Sequence, residues 1–305
     1  MNLTSEEKLW AVISHLSTLM SGTGMIMPSF AWAEHRKKSK YIAFQALQAF
    51  GYQSLGYTLW ALVAMIAILI LTFTTLGELQ QKDGINLFIT SHIALTVALY
   101  AVYLIIPVIG AIKCATGHDF RYPLLGDRLA RMIGYDPSAD SDAPLDAVNE
   151  ERFAAAMAHF AIVYPLWGMA PSLIFLLLPG ARSHYMKFQA LQTIIFQAIS
   201  SIVTIGLSML AFILFINVLT TIVMPFIQNP GMFQPSIASL TPIFLFLLCL
   251  LLSVLLVPLY QIVGQWAGLR LLQGREYRYD IIGRLVERWL AKRAAADVEK
   301  KAWKS

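Results

Sequence analysis

From residue 188 to residue 269 the chain contains no Asp, Glu, Lys, Arg or His, and a second such run extends from 41 to 76. Roughly 20 consecutive apolar residues carry a helix across the ~30 Å hydrocarbon core of a bilayer. Both runs exceed what a buried core helix needs, and they predict an all-α, polytopic helical membrane protein. Composition agrees: 57% of the 305 residues are hydrophobic and 13% charged, against about 25% charged in a typical soluble chain. Glu6 and Glu7 stand where a cleavable leader would carry positive charge, so the first apolar segment is expected to be kept. Cys114 and Cys249 are far apart and form no CxxC or Cys/His cluster, which argues against a disulfide framework and a zinc site alike.

The second constraint is a duplication. Phe44-Gln45-Ala46-Leu47-Gln48 returns letter for letter as Phe188-Gln189-Ala190-Leu191-Gln192, 144 positions later, and each copy is followed by a further glutamine, Gln53 and Gln197. Glu6-Glu7-Lys8 with His15 matches Glu150-Glu151-Arg152 with His159 at the same offset, and Pro28 matches Pro171 within one residue. Gly117 to Tyr122 matches Gly274 to Tyr279 at an offset of 157, the 13 extra residues falling in the Pro- and Gly-rich loop 228–241. Matches in one order through a whole unit mark an internal repeat. The expected organisation is a first membrane repeat over 1–134, an acidic flexible linker over 135–149, a second repeat over 150–279 and a basic amphipathic helix over 280–305.

Each repeat reads as a short helical hairpin followed by two long transmembrane helices. In the first, Ser21-Gly22-Thr23-Gly24 breaks the hairpin, a long helix covers 41–76, and a last one covers 85–114 with a kink at Pro107. The helix over 41–76 would be about 54 Å long at 1.5 Å per residue. Its glutamine-bearing start is therefore expected in the headgroup zone, or the helix tilts. Lys and Arg collect on the cytoplasmic side. Two parallel repeats with shallow hairpins place all but Lys82 of the 23 Lys and Arg there, with both termini cytoplasmic, whereas a three-span, inverted arrangement puts the basic tail outside. Hairpins that reach across a thinned membrane would keep the same sidedness. In the tail, Ile281, Leu285 and Trp289 with Ile282, Val286 and Leu290 form one apolar face among Arg284, Arg288, Lys292 and Arg293, which suits anionic lipid headgroups or, by the same charge logic, a cytosolic partner.

Gln45, Gln48 and Gln53 share one side of a helix, as do Gln189, Gln192 and Gln197. They either hydrogen-bond between helices or line a polar groove where the repeats meet. His15 and His159 are expected as neutral imidazoles on the free carbonyls of a broken helix, with a functional role at membrane depth as the alternative. Arg121 and Arg278 are expected to anchor the end of a span against phosphates or carbonyls. Gly51, Gly56, Ser200, Ser201 and Gly206 suit close helix packing. His92 stands alone in its helix and could ligate a haem-type metal.

In E-E-[KR] leading to a histidine, the hairpin proline, F-Q-A-L-Q, and G-x-[DE]-[FY]-R-Y-P, the chain resembles a known family of small membrane domains. That family is shared by the twenty-kilodalton subunit of the plastid Tic import complex and by magnetosome MamF-type proteins. The resemblance covers nearly everything outside the linker and tail. It implies protein translocation in the plastid branch, an organelle-membrane protein in the magnetosome branch, and enzymatic chemistry in neither. This chain departs in carrying two copies, where members usually carry one, and in having Asp280 where its first repeat has Pro123.

Hydrolase, P-loop and dinucleotide signatures are absent, and no carboxylate pair lies inside the apolar runs. The leading expectation is a non-enzymatic membrane scaffold, or a translocation- or assembly-associated subunit, in the bacterial cytoplasmic membrane. It would bind other membrane proteins, with no cofactor, no metal and no nucleic acid. A small-molecule or ion transporter with a site at the repeat interface is the alternative, and pigment or haem attachment a third reading.

Overall fold

The structure, a computed structural model, describes all residues except 1–2, 82, 138–143, 182, 229–236 and 303–305. Lys82, Arg182, the middle of the linker and most of the 228–241 loop therefore lie outside the described residues. Among the described residues every regular element is helical. The first repeat comprises α1 (Ser5–Leu16), α2 (Ile26–His35), α3 (Lys40–Gly51), α4 (Tyr57–Thr75), α5 (Gly84–Ala115) and α6 (Gly126–Ile133). The second comprises α7 (Ala147–Phe160), α8 (Met169–Leu177), α9 (His184–Val218), α10 (Met224–Gln228), α11 (Ile237–Leu272) and α12 (Asp280–Ala302).

Capping fixes the same starts in both halves. Thr4 and Glu7 form a capping box on α1, and Asp146 caps α7 through Val148 and Asn149. Ser39 caps α3 and Ser183 caps α9; each hydroxyl also donates to the glutamate of the preceding hairpin, Glu7 at 2.7 Å and Glu151 at 2.6 Å. The hairpin tips break at Ser21 (φ 51°) and Leu166 (φ 66°), both in the left-handed region that side chains disfavour. Pro28 and Pro171 each occupy the third position of the returning helix, where no intrahelical bond is lost.

Four segments are long and apolar enough to cross a membrane: Lys40–Leu79, Gly84–Ala115, His184–Gln228 and Leu240–Leu272. The excess length of the first has a simple cause. From Tyr41 to Gly51 every residue of α3 is buried in protein, whereas only Ala64 is buried along the 19 residues of α4. Nineteen residues rise about 28 Å, one bilayer core, so α4 is the span and α3 belongs to a head built at one end of the spans. A π-turn at Tyr52–Gly56 marks the junction. In α9 no such turn occurs at the matching place; the π-turn comes instead at Leu219–Val223.

In the head, α1 packs on α5 and α3, and α7 packs likewise on α11 and α9; α2 lies on α3 as α8 lies on α9. At 12 and 10 residues, α1 and α2 are about 18 and 15 Å long, too short to span. The repeats meet where α2 touches α8 and α3 touches α7. Gly51 is one point of close approach there: a Cβ on it would come 2.9 Å from the Phe153 ring. Gly56 has no tight neighbour outside its own helix turn and Gly206 none within 4 Å, so the packing expected of them does not occur here.

Two sequence expectations are revised. The linker is anchored at both described ends: Tyr135 is buried and stacks on Phe44 at 4.0 Å, Leu145 is buried, and α7 begins at Ala147 rather than 150. The apolar face of the tail is split: Val286 is buried and Ile282 and Leu290 half-buried, while Ile281, Leu285 and Trp289 point outward.

Candidate functional site

Each repeat encloses a polar cluster built from three separate stretches. In the first, His15 on α1 lies between Tyr122 Oη (2.9 Å from Nδ1) and Gln45 Oε1 (3.0 Å from Nε2). An amide oxygen only accepts, so Nε2 carries the proton and Nδ1 accepts from the tyrosine. Gln45 donates to Asp119 Oδ1 at 2.8 Å and the Phe120 carbonyl at 3.2 Å. Gln48 donates to Gln45 Oε1 and, at 2.7 Å, to the same carbonyl, and its own oxygen accepts the Tyr122 N–H at 3.1 Å.

The second cluster repeats this nearly bond for bond. His159 lies 3.0 Å from Tyr279 Oη and 3.2 Å from Gln189 Oε1. Gln189 and Gln192 both donate to the Tyr277 carbonyl, and Gln192 accepts the Tyr279 N–H. Thr193, in place of Ala49, adds a hydroxyl 3.1 Å from His159 Nε2. In both halves the glutamines clamp the non-helical G-x-[DE]-[FY]-R-Y segment against the long helix, and the histidine ties the hairpin to it.

Burial pushes both imidazoles down to about 4, with the glutamine bond working against the shift, so both are neutral at physiological pH. The free-carbonyl role expected for the histidines belongs to other residues. Gln53 donates to the Ser14 carbonyl at 3.2 Å, and Gln197 to the Ala158 carbonyl at 2.8 Å, each in the last turn of a hairpin helix. All six glutamines are buried, and every hydrogen bond given above for them stays within their own repeat.

Within the chain, Arg121 and Arg278 meet carboxylates. Arg121 bonds Asp119 at 3.3 Å and Asp127 at 2.7 Å, and Arg278 bonds Glu287 at 2.9 Å. Asp119 is held above the usual carboxylate range by burial, opposed by Arg121 and its hydroxyl and amide donors. The matching Glu276 is exposed. His92 is 2.9 Å from Thr72 Oγ1 and 2.7 Å from the Phe88 carbonyl, bridging α4 and α5. Ser201 receives the Leu166 N–H at 3.0 Å, securing the second hairpin tip. Among the described residues, no three His, Cys, Asp or Glu side chains gather as a metal site would require.

One polar cluster was not foreseen, and it crosses between repeats. Arg36 donates to Glu151 at 3.0 Å and Glu150 at 3.4 Å, Trp32 Nε1 donates to Glu150 at 3.3 Å, and the guanidinium lies 4.6 Å over the Trp32 ring. Trp32 in turn meets Phe175 of α8 edge-on at 5.2 Å. The Arg36 and Glu150 side chains are each 4% exposed, and burial raises the Glu150 carboxyl while Arg36 opposes the rise. Nothing in the sequence separates Arg36 from Lys37 and Lys38; the repeated Glu pair was the only available signal.

No curated protein and no solved structure matches the chain. A family model does, twice, over residues 6–129 and 150–286, so the two matches coincide with the two repeats. Of the two branches of the resemblance, the match carries the magnetosome one. With its four long apolar helices and both halves matched, the chain is an integral membrane protein that belongs to the MamF/MmsF magnetosome magnetite crystal formation protein family.

Proposed function

We propose that this protein is a non-enzymatic scaffold of the magnetosome membrane that holds other membrane proteins in place while magnetite crystals form. The observation that carries this reading is where the polar side chains go. The repeated glutamines and histidines are buried in the head and engaged in holding each repeat together, while α4 and much of α5, α9 and α11 present apolar side chains outward. Helix faces of this kind associate with other spans by packing. The reading sets both chain ends on the cytoplasmic side, supported by the distribution of Lys and Arg. It rests α12 on an anionic leaflet through its outward Ile281 and Leu285 beside Arg284 and Arg288.

The test is photo-cross-linking from outward positions of α4 and α5, such as Leu62 and Ile93, in intact magnetosome membranes. A reproducible set of membrane-protein adducts is expected, with altered crystal size or number when the protein is deleted. Adducts to lipid alone would sink the reading. So would solute flux by the purified protein in liposomes that disappears in Gln45→Leu and Gln189→Leu variants whose fold is intact.

A further inference from the structure

The head is apolar on its outside as well as in its core. Its first hairpin starts beside the charged end of α5, where Lys8 lies against Gly117, and its tip reaches Tyr100, whose hydroxyl is 2.9 Å from Ser21 Oγ. The second starts in the same way, with Arg152 beside Gly274, and its tip is bonded to Ser201 of α9. Alongside the hairpins, Ile105 and Ile109 of α5 and Ile262 and Trp266 of α11 point outward. The tips themselves end in Leu19 and Met20 and in Leu166 and Trp167, all between 52% and 60% exposed. Surface of this kind is stable only when something other than water covers it.

Lipid is at the right depth to do so. Lys113 on α5 and Lys187 on α9 are exposed and suit the headgroup zone. Tyr100 and Ser201, where the tips arrive, lie 13 and 14 residues further along those helices, about 20 Å. With the roughly 28 Å of α4 beyond it, the apolar surface is about 48 Å tall. That is the height of a whole bilayer with its headgroups, ~40–45 Å, and well over the ~30 Å of its core. The head therefore sits in the cytoplasmic leaflet, with the hairpin tips among acyl chains. Among the described residues eight helices share that level, α1, α2, α3 and α5 with α7, α8, α9 and α11, whereas only α4, α5, α9 and α11 continue beyond the tips. At about 10 Å across per helix, the protein displaces roughly twice the area in the cytoplasmic leaflet that it does in the other.

We infer that the protein is a one-sided wedge that favours, and helps to hold, a membrane bent with the head-bearing leaflet on the convex side. Bending stretches the convex leaflet and opens gaps between its headgroups. A body that is wide in that leaflet fills those gaps, and exposed apolar tips entering from one side do so as interfacial amphipathic helices do, in a curvature-sensitive way. In the opposite curvature the same leaflet is compressed and the wide head is disfavoured. The partner is the lipid leaflet itself, and no second protein is needed. That the convex side is the cytoplasmic one rests on the sidedness given under the proposed function.

The test uses the full-length protein with a fluorescent C-terminal tag, reconstituted in giant vesicles of phosphatidylcholine and phosphatidylglycerol from which a narrow membrane tube is pulled. Removal of the tag by added protease reports which way the head faces. Per unit area of membrane, severalfold enrichment in the tube is expected when the head faces outward, and depletion when it faces the lumen. Equal density in tube and vesicle, or the same enrichment in both orientations, would overturn the inference. Nitroxide labels at Met20→Cys and Trp167→Cys check the depth, since the native Cys114 and Cys249 are buried. They should be relaxed by oxygen and shielded from a water-soluble nickel chelate; relaxation by nickel would put the head clear of the lipid and end the wedge. Sidedness is read separately, by protease access to the tag in cells, so its failure would leave the tube result standing and reverse only the direction of bending in the cell.

Discussion

In the first repeat Glu6 stands in solvent at the head of α1; in the second Glu150, the same residue of the same motif, is buried against Arg36 and Trp32 of its neighbour. The contrast extends along both helices, from Leu9 against Phe153 to Leu16 against Phe160. The His–Gln–Tyr clusters beneath those helices hardly differ. Interior hydrogen bonds are costly to leave unmade, so a duplicated unit can change its outer faces far more cheaply than its polar core. Duplication thus fixed the fold of each half and left the faces free to specialise as an internal joint and as open ends.

Four measurements press on that comparison. The largest expected effect is at the joint. Arg36→Ala leaves Glu150 buried without its partner and should cost about 3–5 kcal/mol of unfolding free energy in detergent. Glu6→Gln, at the matching exposed place, should stay within about 0.5 kcal/mol; equal losses would mean that the two glutamates are not differently placed.

Next come the imidazoles. Their folded-state pKa of about 4 lies below the ordinary 6.5, so the stability they confer is complete above pH 6.5 and is lost as pH falls from 6.5 towards 4. Each should account for about 3 kcal/mol across that window. His15→Gln or His159→Gln should each remove about half of the acid-side slope, and a slope that survives both substitutions would refute the assignment. Glu150 and Asp119, raised by burial, act in the opposite sense: the stability linked to them is lost as pH rises through their folded-state values.

A smaller and equal effect is expected from Gln48→Ala and Gln192→Ala, about 2 kcal/mol each, because each strands one buried N–H and removes one of the two amide donors to a carbonyl. A large difference between them would mean that the clusters are less alike than their geometry. Smallest is Arg278→Ala, whose half-exposed pair with Glu287 should be worth under about 1 kcal/mol by thermal unfolding.

Much of this was legible in the sequence. The charge-free runs gave the spans, the repeated Phe-Gln-Ala-Leu-Gln and its companions gave the two units, and the first hairpin breaks at Ser21, within the Ser21–Gly24 stretch. The His–Gln–Tyr cluster was visible only as co-repeating letters. That His15, Gln45, Gln48 and Tyr122 recur together was the signal for a shared contact, but pairing a histidine with a side chain 107 positions away requires the fold. The length of the first long helix left two expectations, a tilt or a glutamine-bearing start in the headgroup zone, because no charge after Lys40 divides it; α3 is nonetheless less apolar than α4, and it is the part enclosed by protein. The joint could not be read at all, since Arg36 has no counterpart in the second repeat and its basic neighbours look the same.

Gly134 closes α6 with a left-handed φ of 70°, and the chain turns back towards α7. The second repeat has Ala291 there, which strongly disfavours that turn, and α12 runs on to Ala302. Those eleven further residues add about 16 Å of helix, so an alanine in place of a glycine lets the second repeat run straight on where the first one bends. Trimming or lengthening this extension from its far end, a turn at a time, would vary its reach while leaving the long apolar helices of both repeats unchanged.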